Sequence, residues 1–198
     1  MAGFVAHLDA YGILPIAFAG FSIYTGRINY MQEIERKFLT VIPDISKLMR
    51  ITQVGESRIS QTYLIAPNGG ERRVRSRQFP SGITVYFYTE KYPVQGSNGL
   101  VREEKEREIS SEEYEVLLKA ADPQLSTIFK ARYTFDFNNF TFELDVYTFE
   151  ENYATLEVEF PSEDTQVELP DFIQVIKEVT SDKRYKNKSL AKTLAFPE

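Results

Sequence analysis

Charged residues recur at every second position within segments of this sequence that otherwise have the composition of β-strands. The pattern opens with Glu33, Glu35 and Lys37, and the same spacing returns along the chain. Residues two apart on a strand point to the same side, so each segment has a charged side and an apolar side. The later members are Arg73, Arg75, Arg102, Glu104, Glu106, Lys130, Arg132, Glu143, Asp145, Glu157 and Glu159.

The basic members of this pattern are suited to a multiply charged anion. Arginine offers a planar fork for phosphate oxygens, and lysine offers a compact positive charge. Several such groups around one cavity match a chain of phosphates better than they match one carboxylate. The basic set consists of Lys37, Arg73, Arg75, Lys91, Lys130 and Arg132.

The acidic members are suited to a divalent cation. Clustered carboxylates hold hard cations that bridge phosphate oxygens and orient a water molecule. The chain has no cysteine, which excludes disulfides, thiolate nucleophiles and zinc–thiolate sites, and it has one histidine, His7. The expected cation is therefore Mg²⁺ or Mn²⁺. The acidic set consists of Glu33, Glu35, Glu104, Glu106, Glu143, Asp145, Glu157 and Glu159.

The alternative without a binding site is that these charges lie on solvent-exposed strand faces and form cross-strand ion pairs. Isolated charged pairs and dense charge runs usually do so. The segregation of sign by strand favours an enclosed interior instead. In chain order the strands are acid-led, basic, acid-rich, basic and then acidic. A closed cavity tolerates such charges where acids and bases neutralise each other, or where a polar ligand fills the space.

The elements that must position these residues are mainly strands joined by short turns. The pattern predicts strands over 32–40, 58–65, 71–77, 83–91, 100–109, 126–137, 140–149 and 154–160, with short helices near 44–50, 110–121 and 185–195. Short connections imply antiparallel neighbours. We therefore predict a mainly β (α+β) fold, an eight-stranded antiparallel closed β-barrel or tunnel with a few short helices outside and at one end.

The bulk properties indicate one globular domain. A length of 198 residues suits a single core, and a net charge of −6 argues against a nucleic-acid-binding surface. Residues 1–30 include an uncharged stretch that is short for a membrane span and has no basic start. We predict an N-terminal extension over 1–30 and a core domain over 31–198 with Met31 as the functional start. A docked leader or a membrane-surface segment is the alternative.

Taken in order, these motifs resemble the CYTH superfamily of triphosphate tunnel metalloenzymes, in its small, single-domain bacterial form. The resemblance spans about Met31 to Ala195. It includes the EIERKF opening, the Arg73-x-Arg75 pair and the Thr89-x-Lys91 strand end. The remaining motifs are Arg102-x-Glu104-x-Glu106-x-x-Ile109, FELDV over 142–146, LEVEF over 156–160 and the tail over 178–187.

The resemblance implies a tunnel in which inorganic tripolyphosphate is hydrolysed to pyrophosphate and phosphate with Mg²⁺ or Mn²⁺. By position, the phosphates would be bound by Lys37, Arg73, Arg75, Lys91, Lys130 and Arg132, and Arg184 and Lys188, on one helix face, would close a tunnel end. The metal set would be Glu33, Glu35, Glu104, Asp145, Glu157 and Glu159. The catalytic set would be Glu106 and Glu143, which orient the attacking water, with Lys91.

Two other classes of function stay open from the sequence. A hydrolase or cyclase acting on ATP or thiamine triphosphate would need a stacking partner at the tunnel mouth, and the chain has no tryptophan. A non-catalytic polyphosphate-binding module would gain nothing from the eight carboxylates. A barrel with a purely structural role is the alternative to both. We expect a cytoplasmic location, a small triphosphate as partner, no nucleic acid and no membrane. A homodimer is left open.

Overall fold

The computed structural model describes residues 34–67, 69–93, 102–160 and 165–198. All of the described elements belong to the unit Ile34–Glu198. The predictions that concern residues 1–30, Met31, Glu33 and the turn over 95–99 lie outside the described residues.

The described part contains nine strands and three α-helices. The strands are β1 (Ile34–Val41), β2 (Val54–Leu64), β3 (Glu71–Gln78), β4 (Thr84–Pro93), β5 (Arg102–Ile109), β6 (Ile128–Phe137), β7 (Phe140–Tyr147), β8 (Tyr153–Phe160) and β9 (Val175–Glu178). The helices are α1 (Ile45–Ile51), α2 (Ser111–Leu118) and α3 (Asn187–Thr193), and a 3₁₀ turn covers Lys183–Tyr185.

All nine strands form one antiparallel sheet in the order β5-β4-β3-β2-β6-β7-β8-β1-β9. The predicted fold class, mainly antiparallel strands with short helices, is confirmed. The structure adds β9, which the sequence pattern missed. It occupies the outer edge of β1, so the ladder runs between the ends β5 and β9. Within the described residues no hydrogen-bonded pairing joins those two ends.

Local signals in the sequence explain where the elements begin and turn. Asn138 and Asn139 both have positive φ, which gives the tight two-residue connection between β6 and β7. The side chain of Asp44 accepts a hydrogen bond from the backbone of Lys47 and caps α1. Ser110 caps α2 in the same way through Glu113.

One side of the sheet is apolar and carries most of the hydrophobic core. Side chains of β1, β6, β7 and β8 pack there against α1 and the segment that leads into β9, with Phe135, Phe142, Leu144 and Leu156 fully buried. Further along the sheet, Tyr114 of α2 packs near Val74. Helices α1 and α2 therefore lie on the apolar side, and the charged residues occupy the opposite side.

The C-terminal tail covers one end of that opposite side. Leu190 and Ala191 of α3 pack against Tyr63, Ile128 and Tyr147, whose side chains emerge on the same side as the charged residues. The 3₁₀ turn adds Tyr185, which packs beside Leu39. No helix in the described part is long and apolar enough to cross a membrane.

Candidate active site on the charged face

The strand register brings the alternating charged residues onto one side of the sheet, which we call the charged face. Lys37 lies opposite Glu157, and Arg132 lies opposite Asp145. In the other half of the sheet, Lys91 lies opposite Glu104. The described site residues that share this face are Glu35, Lys37, Arg73, Arg75, Lys91, Glu104, Glu106, Lys130, Arg132, Glu143, Asp145, Glu157 and Glu159.

Asp145 is the most deeply buried charge of the face. Its carboxylate is fully buried and accepts two hydrogen bonds from the Arg132 guanidinium, both at 2.7 Å, and one from the Lys130 ammonium. Burial would raise the pKa of Asp145, but the two cations outweigh it, so the pKa lies well below its ordinary value. Burial lowers the pKa of Lys130 to about 8, although Asp145 acts in the opposite direction.

Glu157 links this buried group to β1. Its carboxylate lies 2.5 Å from the Lys37 ammonium and 3.2 Å from the Arg132 guanidinium. Burial would raise the pKa of Glu157, yet Lys37 and Arg132 lower it below the ordinary value. Arg132 also pairs with Glu143. The guanidinium of Arg132 therefore holds three carboxylates from two neighbouring strands.

Glu35 is the residue of this half whose environment best fits a cation. Its side chain lies at the margin of the face and is exposed to solvent, but neighbouring protein atoms remove part of its hydration. The carboxylate of Glu157 adds a like charge nearby. Both effects raise the pKa of Glu35 above its ordinary value. A hard cation would neutralise these neighbouring carboxylates. Within the described residues no three acidic side chains already converge on one point, and Glu33, two residues before Glu35, lies outside them.

The basic half of the face lies on β3 and β4 and is balanced by β5. The Arg75 guanidinium donates to Glu106 at 3.0 Å, and the Lys91 ammonium lies 2.5 Å from Glu104. Arg73 lies 3.6 Å from Glu104 and 3.8 Å from Glu106. The hydroxyl of Thr89 donates to Glu106 at 2.6 Å and fixes that carboxylate between the strands.

The arginines of β3 have unfilled hydrogen-bonding capacity. The Nε atoms of Arg73 and Arg75 are buried and have no partner within the described part of the chain. Burial is the main cause that lowers the pKa of Arg75, the repulsion of Arg73, Arg132 and Arg77 acts in the same direction, and Glu106 opposes them without restoring the ordinary value. Buried donors without partners are rare in folded proteins. The arrangement fits an anion with several acceptor oxygens.

The tail residues are placed differently from the prediction. Arg184 lies in the 3₁₀ turn and Lys188 lies in α3, so they do not share one helix face as predicted, because the backbone leaves helical geometry at Lys186. Arg184 is exposed and folds back onto Asp182 at 2.7 Å. Lys188 reaches towards the charged face, with its ammonium 4.0 Å from the carboxylate of Glu71.

Sequence reasoning missed several polar residues of the charged face. Arg77 continues the spacing of Arg73 and Arg75, so the same alternation predicts its side. Ser57 and the hydrogen-bonded pair of Gln61 and Tyr63 are buried on this face. Their residue types carry no charge, so no signal in the pattern distinguishes them from ordinary strand residues.

Comparison with known proteins identifies the family. A model of the CYTH domain matches residues 31–194. The chain belongs to the CYTH family. Two crystal structures of the protein NE1496, one described as an inorganic triphosphatase and one as a hypothetical protein, are each 33% identical to this CYTH chain with a TM-score of 0.54. The matches cover 81% of this chain and 95% and 98% of those chains. No curated protein matches it.

The buried ion pairs of this CYTH domain predict a specific acid response. Asp145→Asn removes the carboxylate but leaves two buried cations, so we expect it to lower the free energy of unfolding by about 3 kcal/mol at pH 7. Because the folded pKa of Asp145 is depressed below 3.8, the unfolded chain binds the proton first as the pH falls. The advantage of the wild type should be constant above about pH 5 and shrink below about pH 4.

Urea unfolding of the two proteins between pH 7 and pH 3 measures this difference. Asp171→Asn is the matched control, because Asp171 is exposed, and its effect should stay within about 0.5 kcal/mol. An Asp145→Asn variant as stable as the wild type at pH 7 would contradict the role given to this carboxylate.

Proposed function

We propose that this CYTH protein hydrolyses inorganic tripolyphosphate to pyrophosphate and phosphate on the charged face, in a reaction that requires a divalent cation. The observation that carries the proposal is the set of six basic side chains on one face, with two buried guanidinium Nε atoms that lack a partner within the described residues. The likeness to a protein described as an inorganic triphosphatase supports the same substrate.

In this proposal the basic side chains bind and orient the phosphates. Arg73 and Arg75 direct their guanidinium groups from β3, Lys91 extends from β4, and Lys37, Lys130 and Arg132 act from the opposite half. Each of them is paired with a carboxylate. Phosphoryl transfer needs the charge of the transferred group neutralised and the attacking oxygen held in line. Fixed cations supply the first requirement without reorganising when the reaction occurs.

The carboxylates of the face supply the metal site and the position of the water. Mg²⁺ or Mn²⁺ would be held by Glu33, Glu35, Glu157 and Glu159, with Glu104 as a further member of the acidic set. Asp145, which the resemblance also places in the metal set, has a buried carboxylate enclosed by Arg132 and Lys130, so in this proposal it stabilises these two cations. When bound, such a cation neutralises phosphate charge and lowers the pKa of a coordinated water. Glu106 and Glu143 are the residues proposed to accept a hydrogen bond from the attacking water. Both are partly accessible to solvent, and each is already oriented by an arginine.

The proposed partner is a small dissolved triphosphate in the cytoplasm. The net charge of −6 disfavours nucleic acid as a ligand. Hydrolysis or cyclisation of an organic triphosphate and plain polyphosphate binding are the outcomes that the first experiment must separate.

That experiment measures phosphate release from tripolyphosphate and from ATP, each with Mg²⁺, Mn²⁺ or EDTA. We expect EDTA-sensitive turnover of tripolyphosphate that exceeds turnover of ATP. A preference for ATP would favour the nucleotide alternative. Tight binding of tripolyphosphate without turnover with either metal would reduce the protein to a binding module.

Lys91 tests the binding role of the basic residues. Lys91→Ala removes a cation that pairs with Glu104, and a charge-assisted contact is worth about 1.5–3 kcal/mol. We expect KM for tripolyphosphate to rise at least about tenfold. Lys47→Ala, on the exposed surface of α1, is the matched control in the same steady-state assay. An unchanged KM and kcat in Lys91→Ala would remove this residue from the site.

Glu35 tests the metal role of the acidic residues. Glu35→Gln keeps the shape of the side chain and removes its charge, so we expect metal-dependent turnover to fall by more than about tenfold. The melting temperature should not fall, since the charged form is disfavoured where Glu35 lies. Glu115→Gln on α2 is exposed and serves as the control. Full activity of Glu35→Gln at limiting Mg²⁺ would exclude Glu35 as a ligand.

A further inference from the structure

Arg77 is a third arginine on the charged side of β3. It follows Arg73 and Arg75 at the same spacing and lies opposite Ile59 of β2 and Val85 of β4, which belong to the same face. Four residues of an antiparallel strand span about 14 Å. The three arginines therefore form a row that runs from the Lys91 end of the face towards Arg132.

Two contacts hold the Arg77 guanidinium in place. Its Nε donates to the hydroxyl of Ser57 at 3.0 Å, and Ser57 is 1% exposed. The guanidinium carbon also lies 5.1 Å from the centre of the Phe79 ring. Ser57 lies directly opposite Arg132 in the register of β2 and β6. The orientation of Arg77 is therefore fixed beside the buried guanidinium of Arg132.

Arg77 differs from the other cations of the face in its charge balance. The six basic residues of the proposed site each have a carboxylate partner. Within the described residues no carboxylate oxygen lies within 4.0 Å of the Arg77 guanidinium. Burial and the charge of Arg132 lower the pKa of Arg77, while Glu143 and Asp145 act in the opposite direction without restoring it. The half-buried positive charge of Arg77 therefore has no ion-pair partner among the residues that the structure describes.

We propose that Arg77 binds a phosphate group of the substrate and makes the site selective for longer phosphate chains. The inference rests on the proposed function. An anion held by Lys91 and Arg73 at one end of the row reaches Arg77 and Arg132 at the other only if it contains several linked phosphates. Pyrophosphate seated at either end contacts fewer of these cations. Loss of Arg77 therefore weakens the binding of tripolyphosphate more than it weakens the binding of pyrophosphate.

The test compares KM for tripolyphosphate with the inhibition constant of pyrophosphate, in one Mg²⁺ buffer, for the wild type and Arg77→Gln. We expect KM to rise about tenfold, the inhibition constant to change less than about threefold and kcat to stay near the wild-type value. Arg77→Lys keeps the positive charge but lacks the planar guanidinium group, so it should recover part of the affinity for tripolyphosphate that Arg77→Gln loses. Ser57→Ala frees the guanidinium and should raise KM by a smaller factor.

Arg58→Gln is the matched control, because Arg58 is the neighbour of Ser57 on β2, points to the opposite side and is exposed. Its kinetic constants should equal those of the wild type. The melting temperature of Arg77→Gln should be no lower than that of Arg58→Gln, since the substitution removes a charge that has no ion-pair partner in the described part of the chain. If Arg77→Gln weakened the binding of both anions equally, or weakened neither, the proposed role of Arg77 would be overturned. A wild type that does not turn over tripolyphosphate would instead overturn the proposed function, and this inference with it.

Discussion

The burial of opposite charges within one sheet is the constraint on which the rest of this structure depends. A single unpaired charge in that position would cost several kcal/mol. Asp145 is fully buried, and it is tolerated because Arg132 and Lys130 enclose its carboxylate. Arg132 in turn holds Glu143 and Glu157, and Glu157 holds Lys37. Each link requires the exact register of β1, β6, β7 and β8, so the ion pairs and the strand pairing stabilise each other.

The same network prepares the face for a ligand. Arg73 and Arg75 of β3 and Lys91 of β4 are neutralised by two carboxylates of β5 that remain partly accessible to solvent. In the proposed reaction, an anion that binds these cations would compete with Glu104 and Glu106, and the two carboxylates would then be available to a metal ion or a water molecule. The buried ion pairs of Asp145 with Arg132 and Lys130 would remain in place when such an anion binds. The apolar residues under α3 cover one end of the face.

The period-two alternation explains why much of this arrangement could be predicted from the sequence. In a strand that period determines the side of every residue, and the charged pairs predicted to share a face do share it wherever they are described. The prediction fails where contacts between distant parts of the chain determine the local structure. β9 has only four residues and forms because the edge of β1 is free. Arg184 and Lys188 lie in separate elements because the chain bends at Lys186. Ser57 has no charge, and only its contact with Arg77 reveals its importance.

The most direct test is a crystal structure of the protein with tripolyphosphate and Mn²⁺, recorded at a wavelength where manganese scatters anomalously. We expect phosphate oxygens within hydrogen-bonding distance of the Nε atoms of Arg73 and Arg75, and an anomalous peak beside the carboxylates of Glu35 and Glu157. Lys130, Arg132 and Asp145 should keep their present contacts. Tripolyphosphate bound on the apolar side of the sheet, or a charged face whose ion pairs are unchanged in crystals that contain the ligand, would contradict it.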